Sequence, residues 1–369
     1  MKLFCEGLDL SDAVLKVIKA SSNKTINPIL ECVKLKATDE ALVLTCTDGE
    51  LAMEKTIKAD VREEGECVVP GKLFSEFVKK LSNEQIELSL NEKNQLIIKY
   101  TDSEMYIACQ DVKEFPSIQQ IHNAQFFTLK QNSLKDIIDK TIFAVALDDT
   151  RPILKGCLFE AENKELTSVA LDGYRISIAK TEILDCSSPI SVIIPGRSLN
   201  ELSKLLSDTD ESIRLLIQKN YLMVQVDSTK IITRLLGFGS DYINYKQIIP
   251  TTFETEVVVA KASLEDALDR ASILARVSND NSARFDFTNS LLTLSAKAEV
   301  GTVTEKINIA LTGENLTIRF DTFFMREALR TVKDEFIKIK LNGQVSPCVI
   351  TPHTGNDYMF LILPMKQVY

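Results

Sequence analysis

The residue types that carry most enzymatic chemistry are present in this chain but never grouped. Its two histidines, His122 and His353, stand far apart beside loop-forming residues, which removes most imidazole acid–base chemistry and most transition-metal sites. The eight cysteines (Cys5, Cys32, Cys46, Cys67, Cys109, Cys157, Cys186 and Cys348) include no Cys-x-x-Cys pair. A zinc site needs clustered ligands, so these read as reduced thiols buried in strands, in a reducing compartment. Carboxylates are plentiful but fall at helical and strand-edge spacing, as on a solvated face. A glycine-rich phosphate loop, a Gly-x-Ser-x-Gly elbow and a His-Glu-x-x-His pair are all missing. The expectation is a protein with no catalytic residues, no metal and no cofactor.

What the chain does group is a repeat. Asn27-Pro28-Ile29-Leu30 returns 124 residues later as Arg151-Pro152-Ile153-Leu154, read as a strand-like run. Asp48-Gly49 returns at the same offset as Asp172-Gly173, within Leu171-Asp172-Gly173-Tyr174-Arg175-Ile176. Leu10 and Leu134 begin matching helical stripes, the first running to Ala20 and the second to Phe143. Val69-Pro70-Gly71-Lys72 matches Ile194-Pro195-Gly196-Arg197 at an offset of 125, which costs a single inserted residue. Duplication at a fixed period is the signature of a repeat-built fold.

A third copy is more diverged. Ser263 to Ala271 repeats the first helix and Phe323 to Lys333 the second, while Ala298-Glu299-Val300-Gly301 stands near the place of the Asp-Gly turn. Terminal repeats depart from a pattern because their outer surfaces meet something different. Linkers are expected at 115–124 and 242–252. The reading is α+β: three tandem domains, 1–121, 125–247 and 251–369, each with two short helices packed on one face of its strands. No apolar run reaches membrane-spanning length, and the first residues enter a strand pattern with no leader. A cytoplasmic protein without membrane partners is expected.

Charge is unevenly spread. The six helices and their flanks hold thirteen basic residues (Lys16, Lys19, Lys72, Lys79, Lys80, Lys135, Lys140, Lys204, Arg270, Arg276, Arg326, Arg330, Lys333) against nine acidic ones, in a chain of net charge −9. The helices are therefore cationic and the remainder acidic. Such a surface holds phosphates without reading sequence.

In order and spacing, these motifs resemble the bacterial DNA polymerase III beta subunit, the DNA sliding clamp, over the whole chain. The motifs that carry the likeness also include Asp241-Tyr242, Arg270-Ala271-Ser272-Ile273-Leu274 and Leu363-Pro364-Met365. The resemblance implies three copies of the processivity-clamp fold, helices inside and sheets outside. It further implies a head-to-tail homodimer whose six domains close a ring around duplex DNA. Twelve helices about 8–10 Å apart span roughly 108 Å of perimeter. Allowing for helix diameter, that leaves roughly 23 Å of free width, enough for a double helix.

The resemblance also assigns residues. Lys24, Arg151 and Arg197 would contact DNA, with Asp148-Asp149 an acidic departure in a loop aimed at the channel. Met105 and Ile107, on an edge strand from Ser103 to Cys109, would meet Ile273 and Leu274 of a second copy; the alternative is that all four are core. A partner-peptide cleft would have one wall from Leu154, Leu171, Gly173, Tyr174, Arg175, Ile176, Ile243 and Ile248. The other wall would be Phe324, Met325, Val345, Pro347, Leu361, Leu363, Pro364 and Met365, although 361–365 alone also reads as a core strand. The implied partners are the replicative polymerase catalytic subunit, the clamp loader, and other polymerases and repair proteins bearing short hydrophobic peptides. The alternatives are a repeat-built protein-interaction scaffold that never encircles DNA, and an enzyme using an unrecognised carboxylate pair.

Overall fold

The computed structural model describes residues 1–22, 26–81, 84–148, 150–278 and 281–365. It packs as two compact units. One comprises Met1–Thr128 with Ser212–Leu235; the other comprises Leu129–Glu211 and the described residues from Leu236 onward.

Each repeat opens with a strand and a helix and closes with a second helix and three strands; between the helices lie five strands in repeats one and two and four in repeat three, and a two-residue strand, Gly237–Phe238, follows in repeat two. The helices are α1 (Gly7–Val17), α2 (Gly71–Val78), α3 (Gln131–Thr141), α4 (Gly196–Leu205), α5 (Lys261–Ala275) and α6 (Thr322–Arg330). In α1, Leu10, Ala13, Val14 and Val17 are buried, the stripe that a 3.6-residue period puts on one face. On the other face Lys16 and Asp12 pair at 2.8 Å. Within each repeat the two helices pack together, and the first lies on the middle strands of its own repeat.

Those middle strands are joined by matching turns. Asp48 and Asp172 each accept, through Oδ1, hydrogen bonds from the backbone N–H groups two and three residues ahead, at 2.8–3.1 Å. Gly49 and Gly173 both have φ +94°, a left-handed conformation that favours glycine. The third repeat joins Leu291–Ala298 to Gly301–Gly313 without an Asp-Gly turn. The run Arg151 to Leu154 is not a strand. Pro152–Lys155 forms a 3-10 turn leading into the strand Gly156–Glu162, as Pro28–Glu31 does before Cys32–Thr38. Proline fixes φ near the helical value and cannot donate to a ladder, so the motif starts a turn. Nor is 242–252 simply a linker, because Tyr242 and Tyr245 are buried in the core of the second unit.

The sheets follow a rule that crosses repeat boundaries. In the first unit, Leu51–Lys58 of repeat one pairs antiparallel with Thr229–Arg234, the last long strand of repeat two. In the second unit, Arg175–Glu182 of repeat two pairs in the same way with Tyr358–Ile362, the last strand of repeat three. The equivalent strand of repeat three is Gly301–Gly313. Its first half pairs with Leu291–Ala298 on one side only, while its second half turns to Thr255–Ala260. The last strand of repeat one, Ser103–Ala108, ends its sheet, and among the described residues its strand partner is Gln95–Tyr100.

Candidate partner cleft and DNA face

The turn after Glu165–Leu171 presents two unlike side chains in succession. Tyr174 is 64 % exposed, and its ring stacks on that of Phe324 with centroids 6.0 Å apart. Arg175 is buried. Its Nε donates to Asp172 at 2.9 Å, one terminal nitrogen to Glu327 at 2.6 Å, and the other to the Phe143 carbonyl. The guanidinium also lies over the Phe324 ring, 4.6 Å from its centroid. A planar cation is suited to this combination of forked hydrogen bonding and stacking. Arg175 thereby ties the turn of repeat two to helix α6 of repeat three.

Behind the turn, Leu154, Leu171, Ile176 and Leu361 are buried in one apolar cluster, with Ile243 packed against it. Ile176 and Leu361 are register partners across the joined strands. Beyond the last strand, the Leu363 N–H donates to the Tyr174 carbonyl and the Met365 N–H to the Arg319 carbonyl, both at 2.9 Å. Residues 363–365 are thus laid from the turn toward repeat three. The apolar surface left accessible includes Tyr174, Ile248, Leu363 and Val345, the last 89 % exposed. Pro347, Pro364 and Met365 are half-buried. Met325 is 1 % exposed and faces the core of its helix, so in this conformation it offers a ligand no surface. Asp172, Phe323 and Glu327 were not assigned to the cleft from sequence, nor were the buried Tyr242 and Tyr245. The Phe323-Phe324 doublet was the available signal for the first group, and linker-like composition hid the tyrosines.

Family models of the DNA polymerase III beta subunit match in tandem: the N-terminal domain over residues 1–119, the central domain over 128–239 and the C-terminal domain over 246–366. The chain belongs to the DNA polymerase III beta subunit family. The beta sliding clamp of Staphylococcus epidermidis is 32 % identical over 359 residues, covering 95 % of each chain; that of Staphylococcus aureus is 30 % identical over the same span. Among solved structures, the Bacillus subtilis sliding clamp superimposes with a TM-score of 0.95 at 29 % identity, and the putative beta subunit of Eubacterium rectale with 0.94 at 29 %. Both cover all of each chain.

In this sliding-clamp chain the residues implicated in DNA contact are unevenly placed. Arg151 is exposed just before its 3-10 turn, and Arg197 is exposed in the first turn of α4. Lys24 and Asp149 lie outside the described residues. Asp148 accepts from the Thr150 N–H and hydroxyl, which holds its carboxyl below the usual range and keeps it charged. Several helix cations are locally paired: Lys204 with Glu201 at 2.7 Å, Arg270 with Glu305 at 2.8 Å, and Arg326 with Asp269. Such pairing reduces the field the sequence count suggests. On the edge strand, Ile107 is buried and Met105 half-buried, beside Ile98 and Leu96 of the next strand. Tyr106 is the exposed apolar residue there, which alternation places on the opposite face. Ile273 on α5 is 65 % exposed and Leu274 half-buried. Among the described residues no helix is long and apolar enough to cross a membrane, and no group of three His, Cys, Asp or Glu could hold a metal.

Proposed function

We propose that two copies of this chain pair head to tail into a closed ring around duplex DNA. The ring serves in the cytoplasm as a non-catalytic processivity factor for the replicative polymerase. The observation that carries this reading is the junction rule. Twice within the chain, the middle sheet of one repeat is extended by the last strand of the next. Gly301–Gly313 lacks that neighbour along its first half, and Ser103–Ala108 is a last strand with an open side. Open edges invite strand addition, and two different edges on one chain pair heterologously, closing a ring when the rotation allows. Ile273, Leu274, Met105 and Ile107 belong to the elements that meet there. Domain limits of 1–121, 125–247 and 251–369 make each repeat one unit of that rule.

Arg151, Arg197 and Lys24 contribute to loose phosphate contact inside the ring. Partner proteins, including the polymerase catalytic subunit, the clamp loader and repair proteins, dock a short hydrophobic peptide between repeats two and three. Tyr174, Ile248, Val345, Leu363, Pro364 and Met365 form its accessible walls, and the Leu154–Ile176 cluster with Leu361 forms its floor. Apolar walls with a few orienting polar groups suit such a peptide. Retention on DNA tests the ring. Chain loaded on closed circular duplex should stay bound in salt that abolishes phosphate contacts and be lost when the circle is cut. Equal loss from cut and closed templates would favour a scaffold that never encircles DNA.

A further inference from the structure

Cys67 and Cys109 lie in different strand segments of the first repeat, yet they meet. Cys67 is in Gly65–Pro70, and Cys109 directly follows the edge strand Ser103–Ala108. The segment past that strand is tied back: the Gln110 N–H donates to the Val68 carbonyl at 2.8 Å, in an antiparallel bridge. In that register Cys67 and Cys109 are diagonal neighbours on one face, a relation that puts Cα atoms about 7–8 Å apart with side chains closer. Each thiol shifts the acidity of the other, and the Cys109 S–H is directed at the Ile107 carbonyl at 3.8 Å. The two sites are unlike, since Cys67 is 1 % exposed whereas Cys109 is half-buried. The neighbouring Cys67 draws the Cys109 thiol below its usual range, while Cys109 and burial push Cys67 up. Cys186, also half-buried, gives its S–H to the Ser188 carbonyl at 2.9 Å instead.

We propose that Cys67 and Cys109 are a peroxide-responsive thiol pair that closes to an intramolecular disulfide and, in closing, displaces the edge strand Ser103–Ala108. The Cys109 thiolate attacks one peroxide oxygen; the O–O bond breaks, leaving a sulfenic acid and, after proton uptake, water. The Cys67 sulfur then attacks the Cys109 sulfur, the S–O bond breaks, and a second water leaves with the Cys67 proton. Two thiols lose two electrons, and the peroxide is reduced to two waters. A disulfide needs a Cα separation below about 7 Å, so closure pulls residue 109 toward Gly65–Pro70 and drags the end of the edge strand with it. The effect on assembly rests on the head-to-tail reading, in which this edge is one half of the junction. Cytosolic thiols would reverse the bond.

The test uses the full chain with a small excess of hydrogen peroxide, iodoacetamide quenching and peptide mapping, alongside sedimentation. A linked Cys67–Cys109 peptide is expected, lost with dithiothreitol and absent from Cys109→Ser. In Cys67→Ala, a Cys109 sulfenic acid should accumulate and be trapped by dimedone. Oxidation should weaken self-association at least about tenfold in the unmodified chain and leave Cys109→Ser unchanged. Cys109 oxidised without a bond to Cys67 would overturn the pair, and a linked peptide with unaltered self-association would overturn the displacement. A reduced chain that stays monomeric at every concentration would defeat the head-to-tail reading instead, with the peptide map still judging the thiols.

Discussion

Arg175 joins two repeats through one side chain. Its guanidinium is shared by Asp172 of repeat two and Glu327 of repeat three while lying against Phe324. Removing one member of a buried ion pair strands the others. Arg175→Ala should therefore lower stability by about 3 kcal/mol, read as a shift in the urea midpoint. Because Tyr174 stacks on Phe324 above it, the variant should also bind partner peptide more weakly. A second residue-scale effect is alkaline. Burial pushes the thiols of Cys5 and Cys157 up to about 12 from 9.0, and raises Cys46 and Cys348 as well. The folded chain then keeps protons that the unfolded chain releases. Their contribution is full below pH 9 and lost as pH climbs toward 12, at about 1.4 kcal/mol per unit for each thiol. Urea midpoints at pH 8 and pH 10.5 should differ accordingly, and Cys157→Ala should flatten the difference.

At the scale of elements, the helices were legible because burial on one face leaves a periodic trace. Leu10, Ala13, Val14 and Val17 are read as a stripe and are buried as one. The Pro-Ile-Leu motifs were misread because an apolar run entering a strand looks the same whether it is extended or turned; the proline decides, by fixing φ. The exposed end of α5 makes a prediction at this scale. Ile273 is 65 % exposed in the single chain, and covering such an apolar position is worth about 1.5–3 kcal/mol. Ile273→Ala with Leu274→Ala should sediment as a monomer at concentrations where the parent chain is dimeric. An unchanged mass would remove α5 from the junction.

At the scale of the whole molecule, retention on DNA by the proposed ring depends on topology more than on affinity. With several helix cations already paired to acids of the same chain, phosphate attraction in the proposed ring should be weak and fall steeply with salt. Persistence on circular DNA in high salt therefore has to come from threading, and release on cutting the circle is the outcome that separates the ring from any surface that merely adheres.

Duplication and helix positions were written in the linear sequence, because each is a matter of local spacing. The tertiary structure decided the pairing of strands across repeats, the burial of Tyr242, Tyr245 and Met325, and the meeting of Arg175 with Glu327. These contacts join residues far apart in the chain. Which partner satisfies an apolar strand or a buried cation is settled by packing, and packing has no period for a sequence to display.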